Sequence, residues 1–144
     1  MTQRQLFINE LFKLVAILEN SWDFIFSQVW LTVKTYSILY LISTWLNTSK
    51  DLLNWTYWSK PNMAKKIKFL EENWFIQRLV DENDKRIFRL YLTEKAWKSM
   101  KKVSPIYEKN ISIIFNWIEQ KEISNSLDLI KSILKNILSI NKIN

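Results

Sequence analysis

The sequence contains no cysteine and no histidine among its 144 residues. The absence of cysteine excludes disulfides, thiolate redox sensing and thiolate metal sites. Without imidazole, the commonest general base and the Ser–His and Cys–His nucleophile pairs are missing as well. A transition-metal site would have carboxylates alone to bind the ion. We therefore predict a protein that is not an enzyme and that uses neither a metal nor a cofactor.

Glycine is also absent, whereas the chain has 8 tryptophans. Average usage predicts roughly ten glycines in this length. Backbone positions with positive φ favour glycine, and a bulky aromatic residue there is a steric outlier. Five tryptophans lie at expected helix ends or turns: Trp30, Trp45, Trp55, Trp58 and Trp74. We hypothesise that the gene reads UGA as glycine and that tryptophan stands at misread codons; the alternative is an aromatic-rich core.

Long hydrophobic runs are missing too. The longest uncharged run, residues 35–49, has 15 residues and includes polar ones, whereas a membrane helix needs about 20 apolar residues. Residues 1–20 carry Arg4, Glu10, Lys13 and Glu19, so they do not form a signal peptide. We expect a cytoplasmic protein with no membrane partner.

The net charge of +7 is concentrated in one segment. Residues 59–102 contain 12 of the 21 Lys and Arg residues but 6 of the 14 Asp and Glu residues, which leaves +6 there. Basic residues often merely solvate exposed faces. Their concentration in one segment instead favours a polyanionic partner.

This basic segment has the pattern of a capped helix followed by a hairpin. Ser59 can cap the helix and Pro61 is tolerated in its first turn, while Met63, Ile67 and Leu70 form one apolar stripe. Residues 76–80 and 87–92 then read as two strands around the polar turn DENDKR. The pattern predicts a winged helix-turn-helix, in which the helix enters the major groove and the hairpin is the wing.

The flanking segments predict further helices. We expect helices at residues 3–28, after the capping Thr32, from Ser49 to about Asn54, from Thr93 toward Gln120, and from Ser126 to about Ile140. Pro105 should bend or break the helix that begins after Thr93, near Ser104. The first helix and the last two offer more apolar face than one small winged helix can cover, which predicts a symmetric dimer.

The expected fold is mainly α (α+β), a winged helix-turn-helix with N- and C-terminal dimerisation helices. We predict a single domain over residues 1–144. Its DNA-binding part spans residues 31–92, and its helical dimerisation part spans residues 1–30 and 93–144.

Three motifs, taken in order, point to a family: SKPNM at 59–63, Asp81-x-x-Asp84-x-Arg86, and LTEKA at 92–96. Together they resemble the MarR-type winged-helix transcriptional regulators over nearly the whole chain. Glycine at Trp30 and Trp74 would make the resemblance closer. The resemblance implies a homodimer whose recognition helices enter successive major grooves of a palindromic operator in double-stranded DNA.

The resemblance also implies roles for individual residues. Ser59, Lys60, Pro61 and Asn62 would begin the recognition helix, and Asn62 and Lys65 would meet base edges. Lys66, Lys68 and Lys85 would contact phosphate, and Arg86 would enter the minor groove, steered by Asp84. Thr48, Ser49 and Lys50 at a helix N-terminus would bind a further phosphate. Asp84 and Arg86 could instead form a hairpin-tip ion pair with no role in DNA binding.

The predicted function is a sequence-specific DNA-binding transcriptional regulator, a dimeric repressor of nearby genes. Many members of the family respond to small aromatic or amphipathic ligands, so such a ligand is a further expected partner, although no residue identifies it. The alternative is a winged-helix protein-interaction or architectural module with non-specific DNA affinity. An enzyme would have to use the carboxylates Glu71, Glu72, Asp81 and Asp84, which we interpret as a solvated helix end and turn.

Overall fold

The structure, a computed structural model, describes residues 1–141, so the predictions for residues 142–144 lie outside the described residues. It contains six α-helices and one antiparallel pair of strands within that range. In chain order these elements are α1 (Gln3–Ser27), α2 (Val33–Ser43), α3 (Ser49–Thr56), α4 (Lys60–Glu72), β1 (Ile76–Val80), β2 (Phe88–Leu92), α5 (Glu94–Ile114) and α6 (Gln120–Asn141). The chain divides into two compact units, Met1–Glu108 and a second that begins at Lys109. The mainly helical winged helix-turn-helix fold is confirmed.

Side-chain caps explain where the helices begin. The hydroxyls of Thr32 and Thr48 accept hydrogen bonds from the amides three residues later, at 3.2 and 3.1 Å, and thereby satisfy N–H groups of the first turns of α2 and α3. Thr93 caps α5 in the same way, because its Oγ1 accepts from the Ala96 amide at 3.2 Å. These three predicted helix starts are confirmed.

The core of the first unit lies between α1, α2, α3, α4, β1, β2 and α5. The stripe Met63, Ile67 and Leu70 on α4 is buried, as the spacing predicted. It belongs to the same cluster as Ile38 and Leu39 of α2. Aromatic rings extend this core, since Phe26 stacks on Tyr36 with a centroid distance of 4.2 Å and Trp22 meets Tyr107 edge-on at 4.9 Å. The core therefore fixes α4 from its buried side and leaves its opposite face exposed.

The wing has a simple register. Ile76 pairs with Leu92 and Val80 with Phe88, so the hairpin closes on residues 81–87. β2 begins at Phe88 rather than at the predicted residue 87. The amide of Leu90 donates to the carbonyl of Asn47 at 2.8 Å, which joins β2 to the loop between α2 and α3.

The predicted boundary between the last two helices is wrong. α5 runs through Pro105 as one continuous helix, so the proline does not break it. The helix also ends at Ile114 rather than near Gln120, and α6 begins at Gln120 rather than at Ser126. The Glu119 amide donates to the Glu122 carboxylate at 3.2 Å, a local bond at the start of α6 that the sequence pattern did not reveal.

Tryptophan occupies left-handed backbone positions. Among residues 1–141, five non-glycine residues have positive φ, and four are tryptophans: Trp30, Trp45, Trp74 and Trp117, at 60–69°. After α4, the Trp74 amide bonds to Glu71 O and the Phe75 amide to Leu70 O, the Schellman arrangement that usually has glycine at this position. Trp45 occupies the same position after α2. Trp55 and Trp58, however, are not among the positive-φ residues, and Tyr57 takes the left-handed position between them.

None of the helices within residues 1–141 is long and apolar enough to cross a membrane.

Candidate nucleic-acid interface

The side chains of Thr48 and Asp51 form hydrogen bonds with each other at the N-terminus of α3. Asp51 Oδ2 accepts from the Thr48 amide at 3.1 Å and from the Thr48 hydroxyl at 2.7 Å. The Asp51 carboxylate therefore already lies at the positive end of the helix dipole. Ser49 and Lys50 remain exposed in the first turn, so a phosphate at this end would depend on them rather than on Thr48.

A tight turn connects α3 to α4. Tyr57 ends α3 in the left-handed conformation, with φ of 56°, and the chain then turns into Ser59. The Ser59 hydroxyl accepts from the Asn62 amide at 3.4 Å. Lys60 and Pro61 follow in the first turn of α4, and all four residues from Ser59 to Asn62 are exposed. The beginning of α4 thus presents polar groups and backbone N–H groups to solvent.

The exposed side of α4 carries two predicted contact residues that bind each other. Lys66 Nζ donates to Asn62 Oδ1 at 2.8 Å, one helical turn away. The same ammonium group lies 5.6 Å from the ring centroid of the half-buried Trp58. Burial, with smaller contributions from Lys34 and Lys65, lowers the pKa of Lys66. Lys65 is exposed, whereas Lys66 is held against the protein surface.

Ion pairs line the C-terminal half of α4. Lys68 Nζ lies 3.7 Å from Glu72, an exposed pair one turn apart. Glu71 binds Arg78 of β1 through two parallel hydrogen bonds of 2.8 and 2.9 Å. The hydrogen bond that Arg78 donates to Glu71 raises the pKa of Arg78. This bidentate pair connects α4 directly to the wing.

The tip of the wing is a loop organised by two aspartates. Asp81 Oδ1 accepts from the amides of Asn83 and Asp84, both at 2.9 Å. Asp84 in turn binds Arg86. The Nε and Nη2 atoms of Arg86 donate to the two carboxylate oxygens of Asp84 at 3.1 and 3.2 Å. The Arg86 side chain is nevertheless 91% exposed. The wing therefore presents an oriented guanidinium group to solvent, with Lys85 exposed beside it.

A second guanidinium group lies beneath this loop. Arg89 Nε donates to Asp81 Oδ2, and Arg89 Nη1 donates to Asn47 Oδ1 at 3.0 Å. Asp81 and Asn47 are both buried. The hydrogen bond from Arg89 is the largest cause that lowers the pKa of Asp81, which falls to about 2. Sequence reasoning did not single out Asn47 or Arg89, because 42 residues separate these two partners.

All twelve predicted DNA contacts lie in the first compact unit, on α3 and α4, at their caps and in the wing loop. Ten are exposed, and Thr48 and Lys66 are half-buried. Each carboxylate of the enzyme alternative is paired with a cation: Glu71 with Arg78, Glu72 with Lys68, Asp81 with Arg89, and Asp84 with Arg86.

A cavity of about 430 Å³ opens between α2, α3 and α5 of the same unit. Its polar groups include the hydroxyls of Tyr36, Tyr40 and Tyr107 and the carboxylate of Glu108. Burial raises the pKa of Tyr36 and of Tyr107 above the ordinary value of a phenol.

The sequence matches no family model. Solved structures do match the fold. The MarR/EmrR family transcriptional regulator from Acinetobacter sp. ADP1 has a TM-score of 0.85 at 16% identity, covering 96% of this chain and 99% of that one. The S. aureus MepR–DNA complex has a TM-score of 0.78 at 18% identity, covering 88% and 94%. The organohalide-sensing regulator RdhR in its 2,4-dichlorophenol-bound form has a TM-score of 0.85 at 15% identity, covering 97% and 84%.

These likenesses extend over almost the entire chain, from α1 through the wing to α6, and the neighbours are transcriptional regulators rather than enzymes. The fold implied by the three sequence motifs is therefore confirmed. The chain has the winged-helix fold of the MarR-type transcriptional regulators.

Proposed function

We propose that this protein is a sequence-specific regulator of transcription that binds double-stranded DNA as a homodimer. The observation that carries the proposal is the combination, in one MarR-like unit, of a serine-capped basic helix and a wing whose Arg86 is 91% exposed. In winged helix-turn-helix proteins the helix enters the major groove, while a cationic wing can reach the adjacent minor groove.

Base reading is assigned to Asn62 and Lys65. Lys65 is exposed and can donate to guanine O6 or N7. Asn62 can pair bidentately with adenine, with its Oδ1 accepting from the adenine amino group. In this structure Oδ1 already accepts from Lys66 Nζ, and an amide oxygen has a second lone pair for the adenine. The bond to Lys66 therefore orients the Asn62 amide and does not have to break for base reading.

Phosphate contacts are assigned to Lys66, Lys68 and Lys85 and to Ser49 and Lys50 at the start of α3, while Ser59, Lys60 and Pro61 begin the recognition helix. The four lysines among these phosphate contacts, on each of two protomers, predict that log K falls with log salt concentration with a slope of about −7. Neutralising one of the four lysines should reduce the steepness of that slope by about 2 in the dimer.

Dimerisation is proposed from the exposed apolar side chains of the terminal helices. On α6 the residues Leu127, Ile130, Leu134 and Ile137 are each 39–50% exposed, and they recur at helical spacing. On α1, Leu6, Phe7 and Leu14 are 37–49% exposed. Apolar stripes of this length on helices are characteristic of interfaces. A two-fold dimer would also match a palindromic operator.

The regulator is proposed to act in the cytoplasm as a repressor of nearby genes, released by a small aromatic or amphipathic ligand. The cavity near Tyr36, Tyr40 and Tyr107 supports the ligand, because its volume is within the range of small-molecule sites and its polar groups are few. RdhR, a structural neighbour, is named as an organohalide sensor and binds 2,4-dichlorophenol. A thermal-shift screen of substituted phenols tests this part of the proposal.

Selection of binding sites from a random duplex pool tests the DNA proposal. We expect an enriched palindrome and a Kd for it that rises steeply with salt. Arg86→Ala should weaken operator binding about tenfold. Lys65→Ala should relax sequence preference at one base pair of each half-site. Lys13→Ala, on the exposed surface of α1, is the matched control and should change neither quantity.

Failure to enrich any palindrome, with retained salt-dependent binding, would favour the alternative of an architectural or protein-interaction module. Unchanged affinity of Arg86→Ala would remove the wing from the mechanism and leave Asp84–Arg86 as a hairpin-tip ion pair.

A further inference from the structure

We propose that Asn47 is a positioning residue that sets the placement of the wing, and through it the placement of Arg86 on DNA. This inference rests on the proposed function. Asn47 precedes the cap of α3 and therefore belongs to the helix-turn-helix, not to the wing. It nevertheless makes two hydrogen bonds to β2: its carbonyl accepts from the Leu90 amide at 2.8 Å, and its Oδ1 accepts from Arg89 at 3.0 Å.

The side-chain bond is the specific part of this link. A backbone carbonyl at position 47 could accept from Leu90 whatever side chain is present. The Asn47 amide group, by contrast, is buried at 4% exposure, where a polar group is costly unless it is hydrogen-bonded. Its acceptor binds a charged donor, and such bonds are stronger than neutral ones. The burial of an amide at this point is explained by the position of Arg89.

Arg89 transmits the position of Asn47 to the wing loop. One of its nitrogens binds Asn47, and another binds Asp81 Oδ2. The other oxygen of Asp81 accepts hydrogen bonds from the amides of Asn83 and Asp84. These two residues lie in the loop that carries Arg86. The chain of contacts therefore runs from the loop before α3, through β2, to the tip of the wing.

These contacts affect the distance between the recognition helix and the wing. α3 and α4 position the recognition helix, whereas β1 and β2 carry the wing arginine. A two-stranded ribbon is twisted and deformable by itself. The Asn47–Arg89–Asp81 chain ties β2 and the start of the wing loop to the helix-turn-helix, so that Arg86 and Lys65 keep a constant separation along the duplex.

The test compares Asn47→Leu, which removes the acceptor at similar volume, with Asn47→Asp, which keeps an acceptor for Arg89. In free protein, Asn47→Leu should accelerate amide exchange of Asn83 and Asp84 by about tenfold, and Asn47→Asp should preserve their protection. Asp23→Ala is the control, because it removes the 2.7 Å bond to the Val33 amide on α2 and should leave exchange in the wing unchanged.

The second measurement is a double-mutant cycle on the selected duplex. Asn47→Leu should weaken binding about fivefold, and it should add nothing in the Arg86→Ala background, because it acts through that arginine. Multiplicative effects, or an unchanged exchange rate in the wing, would overturn the inference. If no duplex is enriched, the proposed function fails, while amide exchange alone still decides whether Asn47 positions the wing.

Discussion

Replacing tryptophan with glycine at positions 30, 45 and 74 should stabilise this protein. All three residues have φ of 60–69° and are 73–82% exposed, so their side chains contribute little burial. A non-glycine residue in the left-handed region costs about 1–2 kcal/mol, part of which is offset because glycine loses more backbone entropy on folding. We expect a net gain of about 1 kcal/mol per site. The three sites terminate different helices and should therefore be additive.

Denaturant unfolding with each single variant and the triple variant measures these gains, and the midpoint should rise without a change in slope. Trp97→Gly is the matched control. Trp97 is also a half-exposed tryptophan, at 52%, but it lies inside α5 with ordinary helical backbone. Glycine there should cost about 0.5–1 kcal/mol.

The sign of the change in the free energy of unfolding tests whether the left-handed backbone favours glycine at these sites. If Trp74→Gly destabilises as much as Trp97→Gly, the backbone reasoning is wrong and the exposed rings are there for another purpose. The codons test the origin of the residues separately, because UGG at all eight positions would end the hypothesis that they are misread glycines.

Two further predictions concern acid stability and assembly. Because the folded-state pKa of Asp81 is about 2 against an ordinary 3.8, its contribution to stability should be complete above about pH 4 and lost as the pH falls toward 2. Asp81→Asn should remove that part of the acid dependence in thermal melts between pH 2 and 5, and an unchanged profile would contradict it. Leu134→Lys should dissociate the proposed dimer, so that sedimentation gives the mass of the 17.5 kDa chain, whereas Asn136→Lys on the opposite side of α6 should not. If Leu134→Lys sedimented with the mass of a dimer, like Asn136→Lys, that face would be excluded from the interface.

The sequence predicted the local features of the fold because those features are determined locally. A threonine or serine caps the helix that begins one residue later, and a stripe such as Met63, Ile67 and Leu70 defines one face of that helix. The predicted starts of α2, α3 and α5 were therefore correct. The boundary between α5 and α6 was wrong because the apolar pattern continues through residues 115–119, while Trp117 interrupts the backbone with φ of 69°.

The sequence indicated candidate site residues but not the contacts between them. Composition and motifs pointed to Asn62, Lys66 and Arg86 as candidates, and their role in DNA binding stays a prediction. They gave no indication that Asn62 and Lys66 bind each other, since both side chains could equally face solvent. The Asn47–Arg89 bond joins residues 42 positions apart, and it depends on how β2 packs against the loop before α3. Pairing of this kind follows from tertiary structure.

The pairing of Arg86 with Asp84 is compatible with a role in DNA binding. An exposed ion pair contributes little stability, because solvent already screens both charges. Releasing Arg86 into a minor groove therefore costs little, while the negative potential of a narrow groove attracts the guanidinium group more strongly. Before binding, Asp84 keeps the arginine in one orientation and so reduces the entropy that binding must remove. The buried Asp81, paired with Arg89 beneath the loop, would keep the strands in place while Arg86 leaves Asp84.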